Sequence, residues 1–132
     1  MQSLSDEKFI FYGDSNELIV IISMLRCVKQ LLDLEQQGGF VAEGILQITD
    51  KLQAAYTPQS PNHVKNIGFS FTEIGFLIRM LLRASDHYEP IKFVHDPVAV
   101  LHCLQVRSEI TNFTVSLMAC KRSDGKAWEE VY

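Results

Sequence analysis

Seven positions, Ala99, Cys103, Val106, Ile110, Phe113, Leu117 and Cys120, recur at intervals of 4, 3, 4, 3, 4 and 3 residues. That spacing keeps side chains on one stripe of an α-helix. Between Pro97 and Cys120 only Arg107 and Glu109 are charged. A helix without a charged face has to be covered on two sides, or it leaves apolar surface in water. The stripe therefore predicts one long helix from 97 to about 121, and it obliges the chain to find cover for it. A rival pattern overlaps its second half. Thr111, Phe113, Val115, Leu117 and Ala119 alternate with Asn112, Thr114, Ser116 and Met118, the period of a half-buried strand. Ser123-Asp124-Gly125 would then turn a hairpin into residues 126–132. The helical pattern extends further and is preferred.

Three more segments carry helical periodicity. The first opens at Asp14 with Glu17 three residues on, a capping-box spacing. One of its faces carries Leu18, Ile21, Leu25, Val28 and Leu32, and another carries Val20, Met24, Cys27, Leu31 and Leu34. Two apolar faces place this helix centrally, and Gly38-Gly39 ends it. The second runs from about Phe40 to Tyr56, with Val41, Ile45, Ile48, Leu52 and Ala55 on its stripe. The third starts at Ser70 with Glu73 at the capping-box distance. Its stripe is Ile74, Ile78, Leu81, Ser85 and Tyr88, and Pro90 stops it. Asp96-Pro97 is a cap and first-turn pair for the long helix. Residues 57–69, with Pro58, Pro61 and Gly68, read as a loop.

The expected fold is all-α: a single domain over 1–132, a compact bundle of about four main helices, with a fifth short element around Phe9–Tyr12. The alternative is α+β with a C-terminal β-hairpin at 110–132. A chain of 132 residues buries enough surface to need neither disulfide nor metal. Cys27, Cys103 and Cys120 show no CxxC spacing, and all fall on apolar stripes. They read as reduced, inert core thiols, which fits a cytoplasmic location. No uncharged run approaches the ~20 residues of a membrane span.

The net charge of −4 is unevenly placed: residues 1–60 hold four bases and eight acids, whereas 61–132 hold eight of each. Nucleic-acid binding calls for clustered Lys and Arg, and no such stripe exists. An acidic half instead suits a basic protein partner.

No P-loop, GxSxG or GxGxxG occurs, and His63, which follows Pro61 in a loop, does not suit phosphotransfer. The richest polar stretch is 86–102. His87, Glu89, His95 and Asp96, with His102 downstream, would form a metal site if they converged. The competing reading is that His87 complements a helix end and Asp96 is a cap. Arg79 and Arg83, four apart on one helix face, can grip a carboxylate or phosphate; the competing reading is a solvated face with Arg83 paired to Asp86.

The expected function is therefore docking rather than catalysis. The chain reads as a small intracellular interaction module (adaptor, secretion-type chaperone or inhibitor) needing no cofactor. Its partner-binding residues would be Phe113, Leu117, Trp128, Tyr132, Arg79 and Arg83. The partner would be another protein of basic character or a second copy in a homodimer, not nucleic acid or membrane. The second reading is a metal- or small-ligand-binding bundle, with enzymatic use of the 86–102 cluster.

Overall fold

The computed structural model describes residues 8–34 and 40–131. Gly38-Gly39, Tyr132 and the side chains of Leu34 and Val41 lie outside the described residues. The elements in chain order are β1 (Lys8–Gly13), α1 (Ser15–Leu34), α2 (Phe40–Ala55), β2 (Lys65–Ser70), α3 (Phe71–Ser85), a 3₁₀ turn (Pro90–Phe93), α4 (Pro97–Met118) and the short α5 (Trp128–Val131).

The four main helices are those the periodicity predicts, but a two-stranded antiparallel sheet joins them. The pure all-α expectation is corrected accordingly, and the α+β alternative is nearer. Its sheet is not the proposed C-terminal hairpin, because α4 stays helical through Met118. Instead β1 pairs with β2, from Lys8 opposite Ser70 to Gly13 opposite Lys65. The stretch 65–69, read as loop, is therefore strand. Phe9, Phe11, Ile67 and Phe69 alternate inward into the core. The free edge of β1 is met by the C-terminal turn, where the Ile10 amide donates to the Lys121 carbonyl at 2.9 Å. Ser123-Asp124-Gly125 does turn, with Gly125 at φ +83° and its amide bonded to the Arg122 carbonyl. Glycine enters that left-handed region without a Cβ penalty. The turn returns the chain to the core at Ala127 and Trp128.

The three predicted N-caps are present. The Glu17 amide donates to Asp14 Oδ1 at 2.9 Å. The Ser70–Glu73 capping box is reciprocal. The Ala99 amide donates to Asp96 Oδ1 at 3.2 Å. Helix α1 touches α2, α3, α4 and β1, the central position its two apolar faces predict. Its coverage is incomplete, however, and Ile19 and Val20 remain exposed. The buried row of α3 is Ile74, Leu77, Leu81 and Ala84, displaced by one column from the predicted stripe, with Ile78 only half-buried. The buried row of α4 matches its stripe from Cys103 to Leu117.

Two polar fastenings hold the elements in place. Buried Ser15 accepts the Thr57 amide at 2.8 Å and donates to the Thr57 carbonyl at 3.0 Å, tying the 57–64 loop to the start of α1. Lys51 of α2 donates to both carboxylate oxygens of Glu73, at 3.0 and 2.8 Å, and to the Gly68 carbonyl at 3.0 Å. Its ammonium also sits 5.1 Å from the Phe69 ring centre. One side chain thus links α2, β2 and α3. Burial pulls the Glu73 pKa up, but the Lys51 and Ser70 hydrogen bonds and the Lys51 and Lys8 charges outweigh it and hold it below the ordinary value.

Candidate functional site

The 86–102 cluster does not assemble into a metal site. Among the described residues no three His, Cys, Asp or Glu side chains converge on one point. Backbone geometry supplies the reason. The His87 and Tyr88 amides close the end of α3, and Glu89 begins the 3₁₀ turn. Asp96 is committed to capping α4, and His95 beside it is exposed. His102 lies one helical turn and a half further on, its ring 6.1 Å edge-on from Tyr88. The same end of the molecule is apolar enough to push the Tyr88 phenol up to about 12, by burial first and then by the nearby Cys27 and Cys103 thiols. Burial likewise pushes the Cys120 thiol up to about 11, and Cys120 donates to the Ser116 carbonyl at 3.2 Å. A thiol held protonated is no nucleophile at neutral pH.

Three of the residues expected to dock a partner are interior. Phe113 is 3% exposed, Leu117 0% and Trp128 5%. Trp128 stacks on Phe71 with ring centres 5.4 Å apart, and its indole N–H donates to the Phe71 carbonyl at 3.2 Å. The helical stripe that singled out Phe113 and Leu117 is the stripe that faces the core, so both are correct as helix markers; Leu117 is wholly enclosed, and Phe113 reaches the surface only in the wall of a groove. Tyr132 lies outside the described residues. Arg79 and Arg83 are both exposed on α3. Arg79 and Trp128 both line a groove of about 560 Å³ that also has Ile78, Leu82, Met118 and Glu129 on its walls. Arg83 is not part of that lining.

The apolar surface is elsewhere. Ile91, Phe93 and Val94, in and just after the 3₁₀ turn, and Val98, Leu101 and Leu104 on α4 are all exposed. Ile91 reaches 75%, Val98 76% and Leu101 66%. These six large apolar residues fall within 14 consecutive positions, and the turn packs on α4. Single exposed apolar residues are ordinary, but contiguous patches beyond a few hundred Å² mark interaction sites. Within five residues of this stretch in sequence the charged residues are Asp86, Glu89, Lys92, Asp96, Arg107 and Glu109, four acids and two bases. The signal that could have found this face was the absence of charge around α4: Val98, Leu101 and Leu104 lie on the side opposite the core stripe.

A second groove, of about 390 Å³, lies between α1 and α4 beside β1. Phe11, Val20, Ile21, Met24 and Phe113 give it apolar walls. Asp14, Glu17 and Glu109 contribute acids, and among the described residues no Lys or Arg lines it.

Comparison with family models, with curated proteins and with solved structures returns no match. The function therefore has to be read from these surfaces. Among the described residues, no helix is long and apolar enough to cross a membrane.

Proposed function

We propose that the chain is a protein-interaction module of the cytoplasm that docks a different protein through the face formed by the 3₁₀ turn and the start of α4. The observation that carries this reading is the run of six exposed apolar residues from Ile91 to Leu104. Burying a side chain of this size is worth roughly 1.5–3 kcal/mol, so leaving six of them in water is a cost that a partner would remove. Asp86, Glu89 and Asp96 beside the face, and the net charge of −4, favour a partner stripe flanked by Lys or Arg. Helix α4 is well suited to such docking, because its inner row anchors it to α1 and α3 and the outer row then needs no rearrangement. The three free cysteines support a reducing compartment.

The test uses two labelled amphipathic helical peptides, one of Leu and Lys and one of Leu and Glu, followed by fluorescence anisotropy. The Leu/Lys peptide is expected to bind, the Leu/Glu peptide to bind far more weakly, and the double variant V98D/L101D to lose the binding while keeping its melting temperature. Equal binding by the double variant overturns the reading. So does a dimer, seen by light scattering, that V98D/L101D dissociates, because the face would then belong to a second copy.

A further inference from the structure

We propose that the groove between α1 and α4 is a second, separate recognition site, and that it takes a short basic and apolar peptide segment: an arginine or lysine beside large apolar residues. Its volume, about 390 Å³, lies within the ~300–1,000 Å³ typical of ligand pockets. Its walls and rim have different chemistry. Phe11 and Phe113 stand edge to face with centres 5.7 Å apart and planes at 89°. Phe11 is in turn edge-on to Phe69 at 6.4 Å and pinned within β1, so the aromatic wall is formed before any ligand arrives. Val20, exposed on α1, extends the apolar surface towards solvent.

The rim is acidic without compensation in the groove. Asp14 and Glu17 come from the start of α1 and Glu109 from the middle of α4, and among the described residues no basic side chain lines the groove. Each carboxylate has an intramolecular role. Asp14 Oδ1 accepts the Glu17 amide, Glu17 Oε1 faces the Asp14 amide at 3.4 Å, and Glu109 Oε1 accepts from Gln105 at 3.2 Å. These bonds hold the carboxylates in place, and a carboxylate has lone-pair sites for about four donors, so acceptor capacity remains. The α1 N-terminus offsets part of the charge of Asp14 and Glu17, whereas Glu109, mid-helix, has no such offset. Glu109 is therefore the residue on which a cation depends most.

An inorganic cation would leave the apolar wall unfilled, and a purely apolar group would leave the rim unanswered. Arginine and lysine satisfy both, with an apolar stem for the wall and a charged head for the carboxylates. The site is independent of the outer face of α4, because it uses Glu109, Asn112, Phe113 and Ser116 rather than residues 98–104.

The experiment titrates a capped Leu-Arg-Leu peptide, too short to form a helix, into protein with labelled methyl groups. Saturable shifts are expected at the Val20, Ile21 and Met24 methyls, and none with Leu-Glu-Leu. Glu109→Lys should weaken binding about tenfold and the milder Glu109→Gln about threefold, while V98D/L101D leaves it unchanged. No shifts at millimolar peptide, equal shifts from Leu-Glu-Leu, or unchanged affinity in both Glu109 variants would overturn the proposal. Loss of the shifts in V98D/L101D alone would also overturn it, by placing the peptide on the other face.

Discussion

Along α4, Val106, Ile110, Phe113 and Leu117 pack inward, while Val98, Leu101, Leu104 and Val115 stand in water. The two sets have similar hydrophobicity and share one helix about 33 Å long. What separates them is the presence of neighbours. The inner row is buried against the helices that pack on α4, α1 and α3, and against the Phe11 ring, whereas the outer row is at least half exposed. The same residue type is thus a stability determinant on one side and a candidate recognition determinant on the other. Substituting the two rows in parallel would separate those roles.

The largest effect belongs to the inner row. Leu117 is fully buried, and Leu117→Ala removes its packing and leaves a cavity, at a cost of about 3 kcal/mol. Urea unfolding followed by circular dichroism measures it. If Leu117→Ala and Leu101→Ala shift the urea midpoint equally, the contrast between the two faces of α4 does not hold in solution.

The inner row was readable from the sequence because its period persists over seven positions, of which all but the half-buried Ala99 are buried. The outer row was not, for a physical reason: periodicity reports which residues share a side, not which side finds neighbours. Phe113 and Leu117 were therefore expected at a docking surface although they lie in the core. Trp128 shows a second limit. It begins a helix of only four residues, so no pattern announces that its indole will stack on Phe71 and bond the Phe71 carbonyl. The sheet shows a third. In β2 only Ile67 and Phe69 are apolar, Asn66 and Gly68 dilute the strand signal, and the partner strand lies at the start of the described sequence, on the far side of α1 and α2. By contrast Asp14, Ser70 and Asp96 were legible as caps, because a cap is decided by three or four consecutive residues.

A second comparison, intermediate in size, is between apolar and ionic fastening of the same core. Lys51→Met keeps the stem over Phe69 but strips Glu73 and the Gly68 carbonyl of a donor, at a cost of about 1–2 kcal/mol at neutral pH. The Glu73 pKa is lower in the folded chain than its ordinary value of 4.5, so the pair stabilises the fold at pH values above that value. The contribution fades as pH falls through the lower, folded value. The wild-type urea midpoint should therefore decline on acidification more steeply than that of Lys51→Met. Parallel pH profiles would mean that Lys51 contributes packing alone.

The smallest effect is expected at the outer row, and it is the most discriminating. Leu101 is 66% exposed, so Leu101→Ala removes little buried area and leaves no cavity. Alanine also has the higher helix propensity, by a few tenths of a kcal/mol, which offsets the small packing loss. The net change in folding free energy should lie within about 0.5 kcal/mol of zero, as for surface positions generally. A loss of 1.5 kcal/mol or more would mean that Leu101 is covered in solution. A melting temperature that rises with protein concentration in the wild type, and stops rising in the variant, would then identify a second copy as the cover. A near-zero change together with weakened binding of the Leu/Lys peptide would instead separate recognition from stability on the two faces of one helix.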